Sequence, residues 1–459
     1  MGTAGKRSRI AVFTLALAPL VCVIALAAQA RVLEFTGTVE RSEAAPLGGA
    51  HGVAVAPDGS QLFVVSFDDN GLVVWQRDLR SGSLSLAQAF LEGSEGVSGL
   101  FRPVRAAVAP DGGNVYVATF FGDAVAVFRR GPEGLSFAQA LFGGSTGVFG
   151  LTQVRGVVVS PDGRFVYAAS YGNNAVRVLR RTLPEGLLEP MDVVFDRDEG
   201  GTVPGLVRPA GIAMSSDGAA VYVPASGGNS LVVFRRDAES GSLRHEATFS
   251  ENTDGVTGLL DAEAVAVSAD GVDVYVGSSS GLAQFRWQGG QLQFVASQGE
   301  EVVGPRELGG ASDLVLTPQD NYAFLARAGD DTLVVLRRDR QSGALQVVER
   351  HQEGEAGVRG LAGASSLAVS PDGQWLYVAA QFGDAVGVFR RQAACSGDCN
   401  EDGQVTVDEL VRAVGAALEE PVPLACWQAD TSGDGRVSVD EIVRGVRGAL
   451  SGCPPEHGS

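Results

Sequence analysis

Val53-Ala54-Val55-Ala56-Pro57-Asp58-Gly59 is the first of seven copies of one short phrase, an apolar run that ends in Pro-Asp-Gly or a close variant. The others lie at Ala107–Gly112, Val157–Gly163, Ile212–Gly218, Val265–Gly271, Leu314–Asp320 and Leu367–Gly373, about 50 to 55 residues apart. A fixed period of that length belongs to ringed or stacked supersecondary units, not to one conventional core.

Four strand-like segments fill each repeat. In the second they are Arg105–Ala109, Val115–Thr119, Ala124–Arg129 and Leu135–Phe142. Pro110-Asp111-Gly112 makes the first turn, where Pro presets φ and Gly accepts a positive one. Gly122-Asp123 makes the second. Ala124 to Val127 is apolar on both faces, as a strand sandwiched between neighbouring sheets requires. The seventh repeat has only three strands, Leu367–Ser370, Trp375–Ala379 and Ala385–Arg390, and a lone segment, Val32–Glu40, precedes the first repeat. That extra strand should complete the last blade and close the ring, which removes unpaired sheet edges. The expected fold is an all-β seven-bladed β-propeller over residues 31–392. An open solenoid would need polar caps, and none is visible.

Ahead of it, Lys6, Arg7 and Arg9 are followed by the apolar run Ile10–Ala28 and by Ala28-Gln29-Ala30. Residues 1–30 read as a secretory signal peptide and not as a membrane anchor. The expected location is therefore secreted, periplasmic or at the cell surface, with no transmembrane segment once the signal is removed. Lys6 is the only lysine, so the mature part keeps about 32 arginines against all 54 acidic residues, net near −22. Such a charge disfavours nucleic acid and anionic membranes and favours cations. Without lysine there is no Schiff-base chemistry. The four histidines, at 51, 245, 351 and 457, show no zinc spacing.

Residues near the starts of the innermost strands should point into a central channel: His51, Arg102, Arg105, Arg155, Arg208, Asp261, Glu263 and Asp313. Hydrolysis in such a channel would need a base to activate water and a cation to hold the oxyanion. His51 or Glu263 suits the first role and Arg105 or Arg155 the second. The plainer reading is that these are paired rim charges. Ser312 and Ser365 stand in the sixth and seventh repeats where charge is found elsewhere.

The Pro-Asp-Gly turns, Val115–Ala118 ("VYVA"), Gly122–Arg130 ("GDAVAVFRR") and its near-copy Gly383–Arg391 make the chain resemble the seven-bladed lactonase-like and surface-repeat propellers. The resemblance covers about 360 residues. It implies the fold strongly, and for activity it implies a range from sugar-lactone hydrolysis and muconate-type lactone formation to no catalysis. The enzymes of that group carry Arg and His together after a Pro; Arg102-Pro103-Val104-Arg105 and Arg208-Pro209-Ala210-Gly211 contain no His.

A small second domain is expected over residues 395–453. Asp398, Asn400, Asp402, Gln404, Thr406 and Glu409 fall at positions 1, 3, 5, 7, 9 and 12 of a calcium loop, with Gly403 at the turn. Asp430, Ser432, Asp434, Arg436, Ser438 and Glu441 repeat the pattern 32 residues later. Val405 and Val437 should pair as short strands. Thr406 with Glu409 and Ser438 with Glu441 match capping boxes. The helices that follow carry two apolar stripes, Leu410, Val411, Val414, Leu418 and Ile442, Val443, Val446, Leu450, expected to pack on each other. Cys395, Cys399, Cys426 and Cys453 suggest two disulfides, with three connectivities open; one of them pairs Cys395 with Cys453 and Cys399 with Cys426. This tail resembles the dockerin and EF-hand families, which implies bound Ca2+ and a cohesin-like partner, although Val407-Asp408-Glu409 and Val439-Asp440-Glu441 depart from the dockerin pattern.

The preferred sequence-level function is a secreted, calcium-binding display or envelope scaffold, which would present the propeller to a glycan, small molecule or protein. The alternative is a lactonase-like hydrolase acting in the channel on a sugar lactone or related small molecule.

Overall fold

A computed structural model describes residues 32–298, 308–319, 321–392, 396–399, 405–418, 424–430 and 436–451. The expected signal segment, Cys395, Cys453 and residues 400–404 and 431–435 of the two calcium loops lie outside the described residues. Seven four-stranded antiparallel sheets follow one another. Blade 1 runs through Ala50–Val55, Gln61–Ser66, Gly71–Arg77 and Leu84–Leu91. Blade 7 takes Ala364–Val369, Trp375–Ala380 and Ala385–Arg391, and its outer strand is the N-terminal Leu33–Glu40. The closing register runs from Leu33 opposite Arg391 to Glu40 opposite Ala385. Glu349 of blade 6 adds a second tie, since its carboxylate accepts from the backbone N–H of Val32 and Leu33 at 2.6 and 3.1 Å.

The core is divided among the interfaces between blades. Phe63 and Val65 of one strand pack with Val115 and Val117 of blade 2, while Leu62 and Val64 of the same strand pack with Tyr377 and Val386 of blade 7. Successive side chains point to opposite faces, so the second and third strands are mostly apolar and buried on both sides. This accounts for the two-faced apolar runs seen in the sequence.

The recurring phrase is consumed by a latch between neighbouring blades. Ser160 Oγ donates to Asp162, whose other carboxylate oxygen accepts from Arg236 of the next blade at 2.5 Å. Arg236 Nε also donates to Tyr167 Oη at 2.8 Å. Burial alone would push the Asp162 carboxyl up, but Ser160 and Arg236 outweigh it and hold it below the usual range. Arg77 repeats the latch with Tyr377 and Asp372, and Arg338 keeps the tyrosine, Tyr275, but takes Asp273 at the start of the second strand as its main carboxylate, with the phrase's Asp270 at 3.6 Å. Burial raises the buried tyrosines Tyr116, Tyr167, Tyr222 and Tyr377 to about 12, so they remain neutral donors and acceptors. Between blades 4 and 5 the arginine is replaced by Trp287, whose indole N–H reaches Tyr222 Oη at 2.7 Å.

In the tail, α1 (Val407–Ala417) and α2 (Val439–Ser451) form as expected. Thr406 and Glu409 make the full capping box, and Ser438 and Glu441 repeat its bonds. A Cys399–Cys426 disulfide is present. Two expectations are corrected. Val405 and Val437 are buried, but no strand pairing joins them. The Val/Leu stripes do not pack on each other. Val411, Val414, Leu418, Val443, Val446 and Leu450 are exposed, and the buried positions are Ala413, Ala416, Gly445 and Gly448. Small residues allow the helices close approach: a Cβ on Gly445 would lie 3.1 Å from Ser396 O and 3.2 Å from Leu410.

Candidate functional site

Because the latches are built from what recurs, the residues free for function are those that do not. The pairing registers align the inner strands: Ala54, Ala107, Val158, Ala213, Ala266, Val315 and Ala368 each face the central Phe or Tyr of the second strand. Three residues before them stand His51, Val104, Arg155, Ala210, Glu263, Ser312 and Ser365. In blades 1, 2, 3 and 7 this position is a bulge in the inner strand, a device that re-aims a side chain. The next position carries Arg105 in blade 2 and Asp313 in blade 6, and Gly, Ala or Ser elsewhere.

Two residues earlier than the bulge lies a mouth position: Gly49, Arg102, Gln153, Arg208, Asp261, Gly310 and Gly363. All seven have positive φ, from 50° to 79°. Glycine is the natural occupant of such a conformation, and another residue there costs on the order of 1 kcal/mol. Blades 2 to 5 nevertheless use Arg, Gln, Arg and Asp. Six of the seven backbone N–H groups are held by an Asn or Asp of the preceding blade, for example Arg208 N by Asn174 at 2.8 Å and Asp261 N by Asn229 at 2.8 Å. The ring is thus fixed in every blade but charged on one side only.

On that side Arg155 Nη1 lies 3.3 Å from Glu263 Oε1, and both remain partly exposed. Arg105 is exposed to the same degree but more extensively bonded. It donates to the carbonyls of Ser365 and Ser312 at 3.2 and 3.4 Å and sits 3.7 Å from Asp313. Asp313 is occupied structurally, accepting from Ser366 Oγ and Leu367 N at 3.0 and 2.9 Å. His51 Nδ1 lies 3.1 Å from Val104 O, which makes Nδ1 the protonated nitrogen and leaves Nε2 with the lone pair. Burial, with Arg105 and Arg155 adding to it, lowers its pKa to about 3. His51 is therefore neutral at ordinary pH, a hydrogen-bonding group and a weak base.

A cleft of about 360 Å³ opens beside the ring, lined by Tyr171, Arg208, Ser226, Asp261, Glu263 and Ser279 among others. Of the residues expected from sequence, Arg155 and Glu263 meet directly, and Arg105 and Arg155 both act on His51. Arg208 and Asp261 frame the cleft, while Arg102 turns to the rim, pairing with Asp68 and lying over Phe67. Tyr171 and Gln153 were missed by the sequence reading. The signal for them lies in an alignment of the seven repeats, in columns where the blades differ from one another.

The depressed pKa has a consequence for stability. An unfolded histidine titrates near 6.5 and takes up a proton that folded His51 refuses, so stability falls as pH drops from 6.5 toward 3. The loss from pH 6.5 to 4.5 should approach about 2 kcal/mol. His51→Gln is expected to flatten the difference curve over that window, with His245, also lowered by burial first, as an unchanged background. Denaturant melts at pH 4.5 and 7 check this; parallel curves for both proteins would show that His51 is not the titrating group.

A family profile described as Lactonase, 7-bladed beta-propeller matches residues 21–203, 154–255 and 309–407, more than half of the chain. No curated protein matches in sequence. Among solved structures, the periplasmic gluconolactonase PpgL of Pseudomonas aeruginosa is 23% identical with a TM-score of 0.52, over 66% of this chain and 86% of its own. A 6-phosphogluconolactonase candidate from Bacteroides uniformis is 20% identical with a TM-score of 0.53, over 68% and 86%. Kuenenia stuttgartiensis hydrazine synthase is 18% identical with a TM-score of 0.54, over 78% and 99%. At these identities the likenesses speak for the propeller body alone, which serves unrelated chemistry. By the extent of the profile match, the chain belongs to the lactonase family of seven-bladed β-propellers.

Proposed function

We propose that the propeller hydrolyses a lactone at the charged side of its channel mouth. The observation that carries this reading is the Arg155–Glu263 pair beside neutral His51, in a ring whose other positions are Val104, Ala210, Ser312 and Ser365. Family membership and the gluconolactonase neighbours favour it over the display or scaffold reading.

Water adds to the lactone carbonyl carbon and the ring C–O bond breaks, giving a hydroxy acid. Arg155, with one guanidinium edge on Glu263 and partial exposure, is placed to hold the developing oxyanion. Glu263 is the carboxylate available to take the proton from water. His51 Nε2 accepts a hydrogen bond that orients water or substrate. Arg105, already bound to three blades' backbone, positions His51 by keeping it neutral. The substrate class follows the neighbours: a sugar lactone or related small cyclic ester.

The test is acid release from a panel of five- and six-membered lactones by the purified full chain. Turnover is expected, with Arg155→Ala lowering kcat by roughly 10²–10³-fold, as loss of an oxyanion donor does. No turnover of any lactone would overturn the hydrolase reading.

We also propose that the tail binds Ca2+. Asp398, Glu409, Asp430 and Glu441, positions 1 and 12 of both loops, are 1%, 2%, 8% and 2% exposed. Buried carboxylates call for a cation or dense hydrogen bonding. Glu409 and Glu441 each spend one oxygen on the capping Thr406 or Ser438, and hard oxygen donors of this kind suit calcium. Among the described residues no three acidic, His or Cys side chains converge on one point, and positions 3 and 5 of both loops and position 7 of the first lie outside them. Export of the chain and attachment through the exposed faces of α1 and α2 belong to the same proposal.

A further inference from the structure

The residue four positions beyond the central Phe or Tyr of each second strand forms a third ring at the channel mouth, and it too is lopsided. Blades 1, 2 and 3 supply Phe67, Phe120 and Tyr171. The later blades supply Ser226, Ser279, Ala328 and Gln381. The aromatic side forms one connected arc. His51 and Phe67 have ring centres 5.7 Å apart, Phe67 and Phe121 6.3 Å, Phe121 and Phe120 4.9 Å, and Phe120 and Tyr171 5.9 Å. Phe121 is 54% exposed. Arginines sit over the two ends, Arg102 at 4.7 Å from Phe67 and Arg155 and Arg208 at 5.5 and 5.7 Å from Tyr171.

A phenyl ring held open at a site mouth has no polar tip to satisfy, so its gain on being covered is apolar. Arginines already screen the arc's ends and leave its middle, Phe120 and Phe121. Directly beyond Tyr171 lies the polar cleft with Asp261 and Glu263, of a size that holds one small ligand. A polyol lactone presents hydroxyls on nearly every carbon, and the phenyls offer them no partner. A bicyclic ligand with a flat hydrocarbon half and an ester half would satisfy both surfaces at once.

We propose that this site selects aryl lactones, with the aromatic half stacked on Phe120 and Phe121 and the ester carbonyl turned to Arg155. This rests on the hydrolase reading. In such a substrate water adds to the carbonyl carbon, the bond to the phenolic oxygen breaks, and the proton from water ends on the phenol; no oxidant or reductant is needed.

The experiment compares dihydrocoumarin with glucono-1,5-lactone as substrates, and 4-chromanone, a ketone of the same bicyclic shape that cannot be hydrolysed, as a binding probe. The full chain is used, alone and as Phe121→Ala, a change at an exposed position, and Phe120→Ala. Dihydrocoumarin is expected to show a KM at least roughly tenfold lower than gluconolactone, and each Ala variant to raise it roughly three- to tenfold, as loss of one aromatic stack does, with gluconolactone moved less than twofold. Preference for gluconolactone, or equal effects on both, overturns the aryl class and leaves the hydrolase standing. If neither lactone is turned over but chromanone binds and Phe121→Ala weakens it, the hydrolase reading fails and the arc survives as a binding site. If chromanone binding is absent or insensitive to both variants, the proposal falls.

Discussion

Arg338→Met is expected to destabilise the propeller by about 3–5 kcal/mol, the cost of leaving one member of a buried ion pair behind. Arg338 and Asp273 have side chains 1% and 0% exposed, and the guanidinium also donates to Tyr275 Oη at 2.9 Å. Burial would lower the Arg338 pKa, but Asp273 and Tyr275 reverse this and raise it. Without Arg338 the Asp273 carboxylate keeps Arg286 at 3.6 Å on its other oxygen, which does not replace the lost contacts. The equivalent Arg130 contacts Asp58, which is 56% exposed, and Arg130→Met should cost no more than about 1 kcal/mol through that pair. Urea unfolding midpoints of the two variants give the comparison. A double variant, Asp273→Asn with Arg338→Met, should recover much of the loss because no charge is then stranded. Equal costs at Arg338 and Arg130 would show that burial does not set the strength of the latch.

The same latch explains what the sequence disclosed and what it concealed. Pro-Asp-Gly, the Tyr of "VYVA" and the second Arg of "FRR" recur because each blade must grip the next, so period, strand count and closure were legible. The site is written in residues that break the period. His51, Arg155 and Glu263 occupy one position in three blades, yet they lie just over 100 residues apart in the chain and read singly as unrelated polar groups. Arg208 and Asp261 sit in a left-handed conformation that no composition rule predicts; only the glycines at 49, 310 and 363 hint at it. In the tail, periodicity found apolar stripes but could not rank two that overlap. Leu410, Ala413 and Ala416 follow helical spacing as well as Val411, Val414 and Leu418, and the smaller set turned inward because it lets the helices approach.

Removing calcium is expected to unfold α1 and α2 while the propeller keeps its structure. The tail is too small to bury much apolar surface, most Val and Leu side chains of its two helices are exposed, and its buried apolar positions among the described residues are Ala, Gly, Val405, Val437 and one disulfide. Against that modest core stand four buried carboxylates. Each site filled at a hundredfold excess over its Kd contributes about 2.7 kcal/mol, so two sites approach the whole stability of a small domain. Hydrogen exchange on the full chain reads both parts together. With millimolar calcium, amides of Val407–Ala417 and Val439–Ser451 should be protected; with EGTA they should exchange at near-unfolded rates, while those of Asn114–Thr119 and the other second strands stay unchanged. Glu409→Gln and Glu441→Gln should each weaken one of two calorimetric binding events. Persisting protection in EGTA, with no calcium heat, would mean that the capping boxes and the Cys399–Cys426 bridge suffice, and the metal proposal would be abandoned.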